Sequence, residues 1–418
     1  MAGRASTPVP DGWREIRLGD AIVPTGVRRR PGEVEPEILS CSKDYGVIPQ
    51  NQLFGKRLAS ADTSRYKLVY PGDFVYDPNL LWSGAIARSS LTIAGLVSPV
   101  YEVFKAAEAT DARFLAAWLK SPARLSEYQR VSVGTNVRRR RASIEDLASL
   151  SIVLPPLPEQ RAIAAVLDSI DEAKDRTEEV IAATERLRDA ILHNLLTGGL
   201  PGHHTAWRDV PGLGTIPASW EVARLGDHAT VKNGTTPSRS KATYWQDGTV
   251  PFVKTGRVND VWIREPDEFI TKQGVDSGGA VVVPAGSVLI AMIGQGKTRG
   301  MAASLLFDAA INQNFAAIYG ASNQLLLEFV LAWARSNYSH IRNAGQGTNQ
   351  DALNCQLIEG LRLPLPPLDE QRAIVATLDS VDAAIEGARA ERAALQSSKA
   401  STADALLTGR VRAPLLKG

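Results

Sequence analysis

The sequence predicts an α+β protein built twice. Two α/β domains are separated by two long antiparallel helices that pair as a coiled-coil spacer, and the halves are related by a pseudo-twofold repeat. Three observations predict this. The run Pro155-Pro156-Leu157-Pro158-Glu159-Gln160-Arg161-Ala162-Ile163 returns as Pro366-Pro367-Leu368-Asp369-Glu370-Gln371-Arg372-Ala373-Ile374, and 20 of the 45 pairs aligned from Pro155 to Gly199 are identical. After each run comes a stretch of about 40 residues nearly free of proline and glycine, ~60 Å as a helix. The blocks before each run alternate short apolar segments with turn residues. A repeat this long is a duplicated module, since solenoid units run ~20–50 residues.

The order of elements follows. Residues 1–154 form a first α/β domain, 155–199 the first helix, 200–216 a linker, 217–365 a second domain, 366–410 the second helix and 411–418 a tail. In the first domain Lys67-Leu68-Val69-Tyr70, Phe74-Val75-Tyr76 and Val100-Tyr101-Glu102-Val103-Phe104 read as strands, with Pro71-Gly72-Asp73 as a turn. The second domain repeats the pattern with Val250–Val253, Ala280–Val283, Ser287–Ile290 and Phe315–Tyr319. Each domain continues into a helical stretch, Ala112 to Lys120 and Leu325 to Arg335. Matching landmarks recur: Pro10-Asp11-Gly12-Trp13 with Pro217-Ala218-Ser219-Trp220, and Gly134-Thr135-Asn136 with Gly347-Thr348-Asn349.

Each long helix carries one apolar stripe. In the first, Ile163, Leu167, Ile170, Thr177, Ile181, Thr184, Ile191 and Leu195 recur mostly at spacings of three and four or their sum, interrupted by Lys174 and Arg188. In the second, the stripe is Ile374, Leu378, Val381, Ile385, Ala388, Leu395, Thr402 and Leu406, weakened by Gly387 and Arg392. Each stripe needs a partner. The other helix of the chain serves, and so does a helix of another subunit. The Glu-Gln pairs at the helix starts read as caps and as complements of the helix dipole.

Composition narrows the chemistry. Net charge is +2, divided as +5 over residues 1–154, −4 over 155–199 and +1 over 200–365. A nucleic-acid contact would rest on local patches. No apolar run approaches the ~20 residues of a membrane helix, and no secretory h-region opens the chain. The two cysteines, Cys41 and Cys355, read as reduced thiols of a cytoplasmic protein. His203 and His204 lie in the Pro/Gly-rich linker and are expected to be solvated. No histidine set has metal spacing. Gly294-Gln295-Gly296-Lys297-Thr298 has the end of a phosphate-binding loop, but Ala291 stands where its first glycine belongs. No catalytic residue is expected.

What remains is binding chemistry. Arg138-Arg139-Arg140-Arg141 follows Thr135 and Asn136 in a polar loop, where arginines suit phosphates and guanine edges. The corresponding second loop holds the amides Gln346, Asn349 and Gln350 with Thr348, which suit adenine edges. Lys232, Asn233, Thr235, Thr236, Arg239 and Lys241 form a further polar loop, and Lys254, Arg257, Lys297 and Arg299 add positive charge. A solvated charge run is the alternative for each.

Taken in order, these motifs resemble the DNA-specificity subunit of type I restriction–modification systems over nearly the whole chain. The two Pro-Pro-Leu signatures look like that family's helix starts. Leu195-Leu196-Thr197-Gly198 and Leu406-Leu407-Thr408-Gly409 look like its helix ends. Thr235-Thr236-Pro237-Ser238, Tyr244-Trp245 and Val250-Pro251-Phe252-Val253-Lys254 are similar to the opening of its recognition domains. The first domain matches that opening less well, and its arginine run departs from a less charged loop. The resemblance implies two target recognition domains, each reading half of an interrupted site in double-stranded DNA. It implies that the helices set the gap and dock two methyltransferase subunits, for which Glu159, Gln160, Arg161, Glu370, Gln371 and Arg372 are candidates. Restriction subunits that translocate DNA would join for cleavage. S-adenosylmethionine, ATP and magnesium would sit on partners, with no cofactor on this chain. The alternative class is a coiled-coil adaptor that binds other proteins without reading DNA.

Overall fold

A computed structural model describes residues 9–28, 35–134, 140–294, 296–344 and 352–414. The chain forms two compact units, Met1–Glu178 with Ala390–Gly418, and Glu179–Arg389. Each unit therefore holds one α/β block and part of both long helices.

The first unit stacks two four-stranded sheets. One sheet has the order Gly46–Pro49, Glu37–Ser42, Gly95–Val97, Lys67–Val69, and the other Ile22–Thr25, Glu102–Ala106, Phe74–Tyr76, Ile86–Arg88. Period-two alternation divides the side chains. Val75, Val97 and Val103 pack between the sheets with Leu39 and Val69. Phe74, Tyr76 and Phe104 face the other way, onto Phe114, Leu115 and Trp118 of the helix Ala112–Lys120 and onto Ile163 and Leu167 of the first long helix. Asp111 starts the shorter helix by accepting from the amides of Arg113 at 2.9 Å and Phe114 at 3.1 Å.

The second unit repeats this plan strand for strand. Its sheets have the orders Glu268–Ile270, Val250–Val253, Ala309–Ile311, Val281–Val283 and Thr230–Asn233, Phe315–Tyr319, Val288–Ala291, Ala302–Leu305, the latter extended by Trp262–Ile263. Leu289, Ala291 and Phe315 face between the sheets. Val288, Ile290 and Ile318 pack toward Phe329, Val330 and Trp333 of the helix Leu327–Ser336 and toward Leu378. In both units a two-stranded ribbon ties the start of the block to its end, Arg14–Arg17 with Ser151–Leu154 and Glu221–Arg224 with Arg362–Leu365.

The long helices run Leu157–Gly198 and Leu368–Leu407. All sixteen predicted stripe residues are buried or half-buried. The helices pair with each other, and the pairing is antiparallel in both units. In the first unit Asp171 bonds Lys399, and Glu178 meets Arg392 at 2.5 Å. In the second, Glu185 meets Arg389 at 2.6 Å, and Arg188 and Asp382 form a two-bond pair. Rising numbers on one helix meet falling numbers on the other. Arg188, expected as an interruption, is thus a cross-helix contact.

Two expectations change. Residues 200–216 are not a plain linker. Trp207–Val210 pairs with Gly214–Pro217, and Val210 and Ile216 enter the second unit's core. His204 is not solvated: its side chain is 9% exposed and Nε2 lies 2.7 Å from the Glu370 carboxylate. Gly199, just past the first long helix, has φ +72°, and a Cβ there would strike His204 at 2.4 Å. Cys41 is a free, buried thiol that donates to the Val75 carbonyl at 3.3 Å, and burial pushes its pKa up to about 12. Cys355 is free and half-buried.

Candidate nucleic-acid interface

In the second unit the strands deliver the predicted polar residues to one end of the stacked sheets. Asn233 pairs with Ala316, Val253 with Ile311, and Ala291 with Phe315, so the loops that follow Asn233, Val253 and Ala291 gather around the turn Asn312–Asn314. Lys232, Asn233, Thr235, Arg239, Lys254, Arg257, Lys297 and Arg299 lie on or beside these loops. The amide of Met292 donates to the Asn314 carbonyl at 2.8 Å, and that of Leu353 to the Met292 carbonyl at 3.0 Å. Gln346, Thr348, Asn349 and Gln350 lie outside the described residues.

Three of the cations, Arg239, Lys254 and Arg257, are held by acids. Arg239 stacks its guanidinium 3.5 Å from the Trp245 ring centre and donates to Glu268 at 2.5 Å. Lys254 pairs with the same carboxylate. Burial alone would raise the Glu268 pKa, but the bonds from Lys254 and Arg239 outweigh it and hold this carboxyl below its ordinary value. Arg257 reaches Asp267 at 3.2 Å and Asp260 at 3.6 Å. The loop of Lys297 and Arg299 is tied down through its backbone: the Tyr338 hydroxyl donates to the Lys297 carbonyl at 2.7 Å and Arg342 to the Arg299 carbonyl at 3.1 Å. Glu268, Asp267 and the amides Asn312, Gln313 and Asn314 are participants that sequence reasoning missed. The run of three amides between two apolar strands was the available signal.

The equivalent end of the first unit is chemically different. Its turn is Ser98–Val100 in place of Asn312–Asn314. Val133 and Arg141 exchange backbone bonds at 2.9 and 3.0 Å, closing the arginine loop, and the amide of Ala142 donates to the Pro78 carbonyl at 3.0 Å as Leu353 does to Met292. The Arg141 side chain is exposed and Arg140 half-buried. Thr135, Asn136, Arg138 and Arg139 lie outside the described residues. Lys43 and Tyr45 are exposed on the neighbouring hairpin.

The helix starts behave otherwise than expected. Glu159 accepts from the Trp13 indole at 3.0 Å and from the Arg412 guanidinium at 2.6 and 2.7 Å. Glu370 accepts from the Trp220 indole at 2.9 Å, the Leu200 amide at 3.0 Å and His204. Gln160 accepts from the Asp111 amide at 2.7 Å and donates to the Pro155 and Ala109 carbonyls at 2.8 and 3.2 Å. Gln371 does the same with the Leu326 amide at 2.9 Å and the Pro366 and Gln324 carbonyls at 2.9 and 2.8 Å. All four side chains are buried. They fasten each helix start to its stacked sheets, which takes them off any surface a partner could touch and replaces the capping reading as well. Only Arg161 and Arg372 of the six docking candidates are exposed.

Two stacked-sheet units, each with a loop end of distinct polar character and each fastened to a shared helix pair by the same Trp–Glu and Gln contacts, define a duplicated recognition protein. The family model described as the type I restriction modification DNA specificity domain matches residues 100–185 and 217–396, and the chain belongs to that family. It is 24% identical over 421 residues to the type I restriction enzyme MjaVIII specificity subunit of Methanocaldococcus jannaschii, covering 97% of this chain and 94% of that one. Its fold is similar to a chain from a type I restriction–modification assembly, with TM-score 0.63 and 21% identity over 97% of this chain and all of the other. It is also similar to the HsdS subunit from Thermoanaerobacter tengcongensis, with TM-score 0.51 and 20% identity over 97% and 99% of the two chains. Membership in a DNA-specificity family favours DNA reading over the adaptor alternative.

Proposed function

We propose that the chain is the DNA-recognition subunit of a type I restriction–modification assembly, each unit reading one half of a bipartite duplex target. The observation that carries this is the repeated scaffold with unlike ends. Both units have the same order in their eight shared strands and the same helix fastening, while the loops that meet solvent at equivalent ends differ in charge and amide content. Phosphate contacts from the cations set register, and groups on the turns read base edges. The helix pair sets the number of base pairs between half-sites.

Methyltransferase subunits dock on the helices. Along the second long helix Ala376, Ser380, Ala383 and Gly387 in one unit, and Ala390, Ala394, Ser397 and Ser401 in the other, recur at alternating spacings of four and three and are all exposed. Small residues at heptad spacing let another helix approach closely. Arg161 and Arg372 flank such contacts at the helix starts. Methyl transfer and cleavage belong to partner subunits, which carry S-adenosylmethionine, ATP and magnesium, and restriction subunits join for cleavage. Among the described residues no helix is long and apolar enough to cross a membrane.

The test is a site selection with the full chain and a co-expressed type I methyltransferase subunit on randomised duplex. One bipartite motif is expected, and replacing residues 10–150 with those of a relative should change one half only. Absence of any preferred sequence, or a change in both halves, refutes the proposal.

A further inference from the structure

The turn Asn312–Asn314 is built as a rigid amide platform. Gly234 lies so close that a Cβ would stand 2.0 Å from the Ile311 carbonyl oxygen, so the neighbouring loop is pressed against the turn. The Thr235 amide donates to that carbonyl at 3.0 Å. The Thr255 hydroxyl donates to Asn312 Oδ1 at 2.8 Å, and the Asn314 amide donates to the same oxygen at 3.3 Å. At the tip, the Thr236 hydroxyl donates to Gln313 Oε1 at 2.6 Å. The Gln313 side chain is exposed, and among the described residues its amide nitrogen has no hydrogen-bond partner.

That arrangement matches one base. A carboxamide whose oxygen accepts and whose nitrogen donates can pair with N6 and N7 of adenine in the major groove. Thr236 occupies one lone pair of Oε1 and leaves the second for the adenine amino group. Fixing the amide before DNA arrives removes much of the ordering cost of a long side chain. The surroundings suit a duplex: Thr236 shares its loop with Arg239 and Lys254 precedes Thr255, so both cations, which meet at the Glu268 carboxylate, lie on segments that touch the turn and can serve phosphates. In the first unit the equivalent turn has Pro99 where the second has Gln313, followed by the exposed Val100, and it offers no such amide.

We propose that Gln313 reads an adenine in the half-site of the second unit, with Thr236 as its positioning residue. This rests on the DNA-reading function proposed above. The experiment is site selection on randomised duplex with the full chain and a co-expressed methyltransferase subunit. Gln313→Ala should lower discrimination at one A·T position by roughly tenfold to a hundredfold, leaving the other half-site intact as the folding control. Gln313→Glu, which keeps an acceptor and loses the donor, should shift that position toward cytosine. Thr236→Val should lower discrimination at the same position by roughly threefold to tenfold, and Thr236→Ser should restore it. The inference fails if the wild-type chain selects a bipartite site and Gln313→Ala selects the same one, or if all positions of the half-site flatten equally. If the wild-type chain selects no site, the DNA-reading function itself falls, and this inference with it.

Discussion

Replacing Glu370 by leucine should unfasten the second unit and leave the first intact. The Glu370 side chain is 7% exposed, and its carboxylate takes the Trp220 indole, the Leu200 amide and the His204 ring. Leucine has a similar volume but strands the indole and the amide, at ~1–3 kcal/mol for each buried donor left without an acceptor. Loss of the His204 contact adds to this, for a total of about 3–5 kcal/mol. Trp220→Phe removes one charge-assisted bond, ~1.5–3 kcal/mol, and the two changes should couple by about 1–3 kcal/mol in a double-mutant cycle. The two free cysteines give a readout for each unit, since Cys41 lies in the first and Cys355 in the second. Thiol labelling along a urea titration, read peptide by peptide, should show the Cys355 curve moving to lower urea while the Cys41 curve stays. Equal movement of both curves, or additive effects of the two substitutions, refutes the clamp. The acid limb has a sign as well. Burial pushes the Glu370 carboxyl up, but the bonds from His204, Leu200 and Trp220 outweigh it and the net pKa is lowered from 4.5. A carboxyl depressed on folding adds stability above its unfolded pKa and loses it as pH falls through the folded value. The difference between wild type and Glu370→Leu should therefore shrink on acidification below about pH 4.5.

Two further outcomes follow from charge. Glu268→Gln releases Arg239 and Lys254, so binding to unrelated duplex should tighten at low salt and its log–log salt slope should steepen by roughly one to two; an unchanged slope in a fluorescence titration means that neither cation reaches phosphate. Arg188→Ala leaves Asp382 facing Asp379, whose carboxyl burial, Asp382 and Glu328 already push up, and should cost about 1–2 kcal/mol for a partly exposed pair; thermal unfolding that matches wild type at pH 7 refutes that.

Periodicity made the frame legible. The stripe from Ile163 to Leu195 and the stripe from Ile374 to Leu406 depend only on neighbours three and four residues away, and these positions are the sheltered ones. Strands such as Phe74–Tyr76 and Val288–Ala291 were readable for the same reason. The clamps were not, because Trp13 and Glu159 stand 146 residues apart and Trp220 and Glu370 stand 150 apart. Nothing local marks such a pairing, so the Glu-Gln runs read as caps or as docking surface. The hairpin Trp207–Val210 with Gly214–Pro217 was missed for a related reason: Pro201, Gly202, Pro211 and Gly212 read as linker, whereas two of them, Gly202 and Gly212, adopt positive φ in turns. Of the candidate interface residues, the cations were visible by composition. Gln313 and Glu268 became visible only when strand pairing placed them beside Thr236, Lys254 and Arg239.

The burial of the repeated signature also changes what the repeat means. Side chains kept alike to be touched by two like partners would face outward, yet Glu159, Gln160, Glu370 and Gln371 all face inward. Their identity is explained by the unit itself: the same sheets must be fastened twice to the same kind of helix start, and the Trp–Glu and Gln contacts do this with nearly equal distances in both copies. The remaining partners differ, the Arg412 guanidinium in the first clamp and the His204 ring with the Leu200 amide in the second. A frame reproduced this closely puts the turn Ser98–Val100 and the turn Asn312–Asn314 at the same place in each unit, so the two differ in the groups they present without differing in where they present them, as the proposed reading of two half-sites requires. The docking proposed above then uses what the frame leaves exposed, the small residues of the second long helix with Arg161 and Arg372. Substitution at Ala383 or Ala390 should disturb assembly and spare the fold, whereas substitution at Glu159 or Glu370 should do the reverse first.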